Sequence, residues 1–193
     1  MIATIFPSRA SAWLRDAIVR SIATRSWRWP LAALAAVGCA YAVPHLPVQP
    51  MIVTTASVPV GLYILRTDTA GLRAGDMIAF EYEAPSWAEG RYGHDGKRFA
   101  KYVFGMPGDR VITEGLRYLV CPAAGVCGEV GSAQLEDRAG RAMEPVDFGA
   151  GTTIPAGQYY MGATLHERSY DSRYYGLVPE ERVIGRISPL WTW

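Results

Sequence analysis

The sequence predicts a mainly β protein, in which one N-terminal transmembrane helix precedes a β-domain that carries a small inserted β-subdomain. A chain of 193 residues is long enough for one domain and too short for several. Half of its residues are apolar and 19% are charged, which excludes disorder throughout the chain. After residue 50, short apolar runs recur between turn residues, and no long segment has a helical period.

The N-terminal segment, residues 1–29, is basic. It contains five arginines and a single acid, Asp16, so the rest of the chain is net negative although the whole carries a formal charge of +1. A mildly acidic body lacks the basic patch that nucleic acids require, which excludes them as partners. In a membrane protein, a positive excess of this kind places the segment in the cytoplasm and exports the rest of the chain.

Residues 30–48 contain no Asp, Glu, Lys or Arg and are predicted to form the membrane anchor. As a helix this segment would span about 28 Å, close to the hydrocarbon thickness of a bilayer. Trp27 and Trp29 lie at its start, where amphipathic rings favour the headgroup level. Its most apolar part is short, so a signal peptide cleaved after Ala40-Tyr41-Ala42 and lipoprotein processing at Cys39 are alternatives. In each case residues 49–193 are exported.

Cys121 and Cys127 enclose a five-residue loop of Pro, Ala, Gly and Val. In an exported domain, an oxidising compartment favours a disulfide between them, and two reduced thiols are the alternative. A zinc site is not predicted, because no second pair of Cys or His lies at the spacing of zinc ligands. We expect no metal and no other cofactor.

Seven strands are predicted in the body, each bounded by turn residues. They are Gly61 to Arg66, Met77 to Tyr82, Phe99 to Met106, Arg110 to Thr113, Arg117 to Val120, Gln158 to Gly162 and Arg182 to Ser188. Met106-Pro107-Gly108-Asp109 is predicted to form a turn, since Pro107 fixes φ and Gly108 is permissive. Residues 83–97 are expected to form a long polar loop, and residues 114–150 the inserted subdomain.

Few residues in this sequence could serve as the base of a hydrolase. There is no Gly-x-Ser-x-Gly motif and the three histidines are scattered, so a Ser-His-Asp hydrolase is not predicted. The other available base is a lysine amine, and the chain contains only two lysines. On a strand, Lys101 shares a face with Phe99 and Val103, and apolar neighbours lower the pKa of an amine. Lys97 lies in a polar turn, where we expect it to stay charged. From the residues alone, Lys101 could also extend from an edge strand into solvent.

Ser57 is the candidate nucleophile that could accompany such a base. It lies nine residues beyond the predicted anchor, in a stretch that Pro59 biases towards extended geometry. The intervening chain spans about 30 Å at most, so a nucleophile at this position would act close to the membrane surface. A single serine in a loop is ordinarily a turn residue, so its interpretation depends on the segments that accompany it.

Four segments occur in the order of the sequence boxes of a known family. They are Ser57-Val58-Pro59, Gly75-Asp76, Lys101-Tyr102-Val103-Phe104-Gly105-Met106-Pro107-Gly108-Asp109 and Ser169-Tyr170-Asp171-Ser172-Arg173-Tyr174-Tyr175-Gly176. Over about residues 50–190 the chain resembles the type I signal peptidases, membrane-anchored proteases with a Ser/Lys dyad. The form Ser-x-Pro-x-Gly-Leu-Tyr at residues 57–63 is most similar to the conjugative-transfer TraF branch. The family's Gly-Asp-Asn opening of the last box reads Gly162-Ala163-Thr164 here, one residue farther from Ser169.

The resemblance implies a role for each matched residue that would take part in the reaction. Ser57 is implied to be the nucleophile, and Lys101 the general base that removes its proton. The oxyanion hole is implied to combine the backbone N–H of Ser57 with the hydroxyl of Thr55.

Three further residues are implied to support the site. Ser169 matches the serine that orients the lysine amine. Asp171 and Arg173 match a charged pair that stabilises the site without attacking substrate, and an ion pair on the surface is the alternative reading of these two residues.

The implied fold is a strongly coiled, signal-peptidase-like β-sheet domain, held by a single membrane pass with its N-terminus in the cytoplasm and its catalytic domain in the periplasm of a bacterium. The implied activity is cleavage of exported precursor proteins after small side chains, with a pilin precursor of a conjugation or type IV secretion system as the favoured substrate. Some members of the branch cyclise the pilin. The alternatives are a general signal peptidase that acts on many preproteins and a non-catalytic, membrane-tethered assembly subunit.

Overall fold

The computed structural model describes residues 28–42, 46–164 and 166–193. The chain divides into two compact units, Met1–Leu46 and Pro47–Trp193. Of the predicted basic N-terminus, residues 1–29, only residues 28 and 29 are described. Within the described ranges, no helix has both the length and the apolar character needed to cross a membrane.

Helix α1, Arg28–Ala42, forms the described part of the first unit together with Leu46. The predicted anchor, residues 30–48, extends beyond this helix, and its residues 43–45 lie outside the described part. Its last residue, Val48, begins a strand instead and pairs with Arg66. The prediction was wrong at this end because an apolar residue on an edge strand has the same character in the sequence as one in a lipid-facing helix.

The second unit is mainly β, which confirms the predicted class. Its strands are β1 Val48–Val53, β2 Gly61–Arg66, β3 Met77–Glu81, β4 Arg98–Gly105, β5 Arg110–Glu114, β6 Arg117–Cys121, β7 Gly128–Ser132, β8 Thr152–Thr153, β9 Gln158–Gly162, β10 Val178–Pro179 and β11 Val183–Thr192. A one-turn helix, α2 Ser172–Tyr175, lies between β9 and β10, and short 3₁₀ turns occur at Ser86–Ala88 and Glu180–Arg182. The predicted bounds of β2 and β9 agree with the structure, whereas β1, β7, β8 and β10 were not predicted.

A seven-stranded antiparallel sheet forms the body, in the order β1-β2-β11-β3-β4-β9-β10. The last strand, β11, pairs with β2 on one side and β3 on the other, so the C-terminal part of the domain closes the centre of the sheet. The register shifts between Val183 and Gly185, between Pro189 and Trp191, and in β4 between Val103 and Gly105. Such irregularities bend a sheet and increase its twist.

A second sheet, in the order β7-β6-β5-β8, forms the subdomain. It is larger than the predicted range of residues 114–150, because β5 begins before that range and β8 comes after it. A disulfide joins Cys121, the last residue of β6, to Cys127, which directly precedes β7. The predicted turn at Met106–Asp109 is present: the Asp109 N–H donates to the Met106 carbonyl at 3.0 Å, and Gly108 has a φ of 91°.

Candidate active site

Lys101 lies on β4, whose position the Gly75-Asp76 segment helps to fix. The N–H of Gly75 donates to the Val103 carbonyl at 2.7 Å, and the Val103 N–H donates to the Asp76 carbonyl at 2.9 Å. Gly75 has a φ of 91°, which glycine adopts more readily than other residues. These two bonds hold β4 two residues beyond Lys101. On the same face, Val103 and Phe99 pack into an apolar cluster, as the alternation in the sequence predicts.

Ser57 lies in a turn that comes after β1. The next residue, Val58, is fully buried in a cluster with Val53 and Tyr63. The Tyr63 hydroxyl donates to the Pro59 carbonyl at 2.6 Å. The turn is therefore held by a buried side chain and a hydrogen bond directly after the serine, while Ser57 itself stays half-buried at the surface of a groove.

Ser169 is held by a buried ion pair. The Arg173 guanidinium donates to both carboxylate oxygens of Asp171 at 2.8 Å, and also to the Ser169 carbonyl at 3.0 Å and the Ser132 carbonyl at 2.5 Å. The three predicted supporting residues, Ser169, Asp171 and Arg173, are each at most 5% exposed. The pair is thus a buried scaffold rather than an ion pair on the surface, and it links the subdomain strand β7 to Ser169.

The three side chains meet although they are far apart in the sequence. The Lys101 Nζ atom lies 2.6 Å from Ser57 Oγ and 2.6 Å from Ser169 Oγ. The two serine Oγ atoms are 3.4 Å apart. The amine is therefore held between two hydroxyls, with Ser169 on its buried side and Ser57 on the side of the groove.

Burial sets the charge state of this amine. Lys101 is 3% exposed. Burial lowers the pKa of Lys101 to about 8; the charge of Asp171 opposes this effect and that of Arg173 adds to it. At pH 7 about one molecule in ten then carries a neutral amine, compared with about one in three thousand for a lysine with its ordinary pKa. A neutral amine can accept a proton from a serine hydroxyl, which an ammonium cannot do.

A groove of about 240 Å³, called the catalytic groove here, leads to this amine. It is lined by residues 51–55, Ser57, Tyr92, residues 97–101 and Tyr170. Thr55, the predicted oxyanion residue, also lines the groove. It is exposed and comes two residues before Ser57 in the sequence. The predicted solvated lysine, Lys97, is exposed at its rim. Among residues 28–42, 46–164 and 166–193, no cluster of three His, Cys, Asp or Glu side chains could hold a metal ion.

Two strand edges run along the catalytic groove. β1 is the outermost strand of the large sheet and, among the residues that the structure describes, pairs with β2 alone. β4 pairs with β9 only from Tyr102 onwards, so residues 98–101 have no strand partner on that side within the described part of the chain. Unpaired strand edges bind extended peptides through backbone hydrogen bonds. The groove can therefore hold a peptide in an extended conformation with a carbonyl close to Ser57.

An aromatic wall at the end of the groove was not predicted from the sequence. The Tyr92 and Tyr170 rings stack with centroids 4.0 Å apart, and the Tyr170 hydroxyl lies 2.8 Å from that of Tyr82. The wall brings the loop of residues 83–97 against the segment that carries Ser169. The only signal in the sequence was the aromatic content of that loop, Trp87 and Tyr92, which an otherwise polar connection does not need.

Comparison with known proteins identifies the family of this chain. The family model "Signal peptidase, peptidase S26" matches residues 26–193. The conjugal transfer protein TraF of Agrobacterium fabrum is 32% identical over 150 residues, which cover 72% of this chain and 80% of that protein. A probable signal peptidase I-2 of Synechocystis is 31% identical over 94 residues, or 48% of this chain and 37% of that protein.

A crystal structure of a signal peptidase I from Enterococcus faecalis is 23% identical; the match covers 63% of this chain and all of that one, with a TM-score of 0.35. The family match spans the whole β-domain and includes every residue that meets at the buried amine. The chain therefore belongs to the signal peptidase family, peptidase S26, and is a serine peptidase of the signal peptidase I type.

Proposed function

We propose that this protein cleaves exported precursor proteins through an acyl-enzyme, with Ser57 as the nucleophile and Lys101 as the general base. The observation that carries the proposal is the buried amine of Lys101, 2.6 Å from the hydroxyl of Ser57. Few arrangements other than nucleophile activation give a reason to keep a lysine 3% exposed and its pKa near 8.

The proposed reaction follows from the positions of these atoms. The neutral Lys101 Nζ accepts the hydroxyl proton of Ser57, and Ser57 Oγ attacks the peptide carbonyl carbon. The Ser57 N–H and the Thr55 hydroxyl are proposed to stabilise the oxyanion that forms. Lys101 then returns the proton to the departing amine, the C–N bond breaks, and the acyl group stays on Ser57. Water or another amine attacks this ester in the second step, and Lys101 accepts its proton. The C–O bond to Ser57 then breaks, Lys101 returns the proton to Ser57 Oγ, and the product leaves.

The size of the catalytic groove supports cleavage after small side chains. Its volume of about 240 Å³ is shared along an extended peptide, and Val53 and Ala100 are among its lining residues. The similarity to a protein named for conjugal transfer supports a pilin precursor of a conjugation or secretion system as the substrate. Joining of the cleaved end to the pilin's own N-terminus, in place of hydrolysis, is part of this proposal.

Anchoring in the bacterial inner membrane, with the catalytic domain in the periplasm and the lipid bilayer as a partner, is also part of the proposal. The arginine excess of residues 1–29 and the absence of formal charge from residues 30–48 support it. The oxidising character of the periplasm is compatible with the Cys121–Cys127 disulfide.

The proposal is tested by incubating the full chain, solubilised in detergent, with a pilin precursor and measuring product masses. We expect cleavage after a small residue by the wild-type protein and none by Ser57→Ala, which removes the nucleophilic oxygen alone. A cyclic product lacks one water relative to the hydrolysed one, so the mass separates the two outcomes. Cleavage by Ser57→Ala at the wild-type rate, or a wild-type protein that cleaves no precursor, would contradict the proposal.

The same assay separates a dedicated peptidase from a general one. The partial matches to signal peptidases I of other bacteria favour the general alternative. If a panel of unrelated preproteins is cleaved as efficiently as the pilin precursor, the enzyme acts generally and the pilin assignment is wrong.

The pH dependence of kcat/KM should follow the deprotonation of the Lys101 amine. Because burial lowers the pKa of Lys101 to about 8, kcat/KM is expected to rise about tenfold per pH unit below pH 8 and to level off above it. kcat/KM rises with pH because the amine of Lys101 cannot act as a base while it is protonated. The check is kcat/KM for one peptide from about pH 6 to about pH 10. A flat profile, or a rate that still rises about tenfold per unit up to about pH 10 as an unshifted lysine requires, would contradict the role of Lys101.

A further inference from the structure

A second groove adjoins the catalytic groove and has no part in the proposed reaction. Its volume is about 450 Å³, and it is called the arginine groove here after Arg138, Arg141 and Arg168, which line it. Thr55, Tyr92 and Tyr170 line both grooves, whereas Ser57 lines the catalytic groove alone. The two grooves therefore adjoin at Thr55 and at the aromatic wall, and a peptide that passes Ser57 and continues beyond Thr55 would reach the arginine groove next.

Contacts between two segments build this groove. Arg91 Nη1 donates to the Ala142 carbonyl at 2.7 Å, and the Tyr92 hydroxyl donates to Asp137 Oδ2 at 3.3 Å. Tyr92 also stacks on Tyr170. The loop of residues 83–97 is thus attached to the segment around Asp137 and to the aromatic wall. The groove is formed in advance of binding, which reduces the ordering that a ligand requires.

The carboxylate of Asp137 in this groove already accepts hydrogen bonds from neighbouring residues of the same chain. Asp137 accepts from the Arg141 side chain at 2.7 Å and from the N–H groups of Ala139 and Arg141 at 2.8 and 3.0 Å. The side-chain and backbone hydrogen bonds from Arg141 lower the pKa of Asp137 to about 2. Arg141 and Asp137 therefore neutralise one another, and neither charge is free for a ligand.

Arg138 and Arg168 are not neutralised in this way. Arg138 Nη2 lies 2.6 Å from His166 Nε2, and Arg168 Nη2 donates to the Glu136 carbonyl at 3.2 Å. Both side chains are exposed, and among the described residues neither forms an ion pair with a carboxylate. Glu136 also lines the groove, so its walls carry three guanidinium groups against two carboxylates. A guanidinium retains several N–H donors that suit a carboxylate.

We propose that the arginine groove binds the part of the substrate that lies beyond the scissile bond, and that Arg138 and Arg168 select a carboxylate there. The inference rests on the proposed function, because it needs Ser57 to mark the cleaved bond. The carboxylate belongs either to an Asp or Glu side chain of the leaving segment or to its C-terminus. Both sources present the same planar carboxylate to a guanidinium. Peptides that carry only one of the two carboxylates are therefore needed to tell the sources apart.

The test uses four peptides that share the sequence before the scissile bond, with alanine at the cleaved position. Their leaving segments are acidic with an amidated C-terminus, neutral and amidated, basic and amidated, and neutral with a free C-terminal carboxylate. For the wild-type protein at low ionic strength, we expect kcat/KM for at least one carboxylate-bearing peptide to exceed that of the neutral amidated peptide about two- to fivefold. The basic peptide should be cleaved most slowly, and high salt should reduce the differences.

The double variant Arg138→Gln/Arg168→Gln should bring the ratio between carboxylate-bearing and neutral peptides close to one. The matched control, Arg66→Gln/Arg110→Gln, changes the net charge equally at exposed positions outside both grooves and should keep the wild-type ratio. The peptide that loses its advantage identifies the source of the carboxylate. Equal cleavage of all four peptides by the wild-type protein, or a ratio that the double variant leaves unchanged, overturns this inference alone. A wild-type protein that cleaves none of them overturns the proposed function, and this inference with it.

Discussion

Replacing Lys101 by methionine is expected to abolish peptidase activity and, at the same time, to stabilise the fold. Methionine has a similar length and fits an apolar site, but it cannot accept the proton of Ser57. Loss of one member of a nucleophile–base pair lowers kcat by about 10⁴-fold or more in serine proteases. The stability of the variant should increase because Lys101 is held in a site that disfavours its charged form.

The size and sign of the stability change follow from the pKa of Lys101. A decrease from 10.5 to about 8 corresponds to ~3 kcal/mol of destabilisation while the buried amine is charged. The variant also loses the hydrogen bonds to Ser57 and Ser169, at about 1 kcal/mol each. We therefore expect the free energy of unfolding of Lys101→Met to exceed that of the wild type by ~1–2 kcal/mol below pH 8.

The difference in unfolding free energy between the two proteins should then shrink as the pH rises and reverse its sign by about pH 10. Between pH 8 and 10.5 the native lysine has lost its proton while the unfolded chain still binds one, so the wild-type fold gains stability with pH. Urea unfolding at about pH 6 and about pH 10 measures this change. Lys97→Met is the matched control, since it removes the amine of an exposed lysine just before the same strand and leaves the buried amine in place. A Lys101→Met variant that is less stable than the wild type in the acidic measurement would contradict the argument.

The convergence of Lys101 and Ser169 on Ser57 could be anticipated because the sequence boxes resemble those of a known family, whereas local chemistry indicated only the strand of Lys101 and the turn that follows it. Pro107 and Gly108 end the lysine strand, and this signal is independent of the rest of the chain. The cap that Asp171 provides to the one-turn helix was not predicted. The alternation of apolar residues along β4 also placed Lys101 on a buried face. Predictions of this kind succeed where a few neighbouring residues determine the backbone.

Features that depend on distant segments could not be anticipated. β8 and β10 have two residues each, too few to show any alternation, and they exist because β5 and β9 offer them partners. β1 continued the apolar run of the predicted anchor, and only its pairing with β2 identifies it as a strand. The aromatic wall and the arginine groove likewise depend on tertiary contacts between the 83–97 loop, the subdomain and the segment beside Ser169.

Replacing Asp171 by alanine is expected to lower the free energy of unfolding by ~3–5 kcal/mol, because it leaves the guanidinium of Arg173 buried without its counter-charge. Urea unfolding measures the loss. The control is Glu129→Ala, which breaks the exposed Arg117–Glu129 pair, with an N–O distance of 2.7 Å, and should leave stability unchanged. A similar result for both variants would mean that the Asp171–Arg173 pair is only a surface feature.

The charge-removing variants Asp171→Asn and Arg173→Met test whether the pair also shifts the pKa of the base. The negative charge of Asp171 raises the pKa of Lys101, and the positive charge of Arg173 lowers it. The inflection of kcat/KM against pH should therefore move below 8 in Asp171→Asn and above 8 in Arg173→Met. A purely structural role predicts lower activity with the same inflection in both variants. Opposite shifts would show that the ion pair acts on the charge of Lys101 as well as on the position of Ser169.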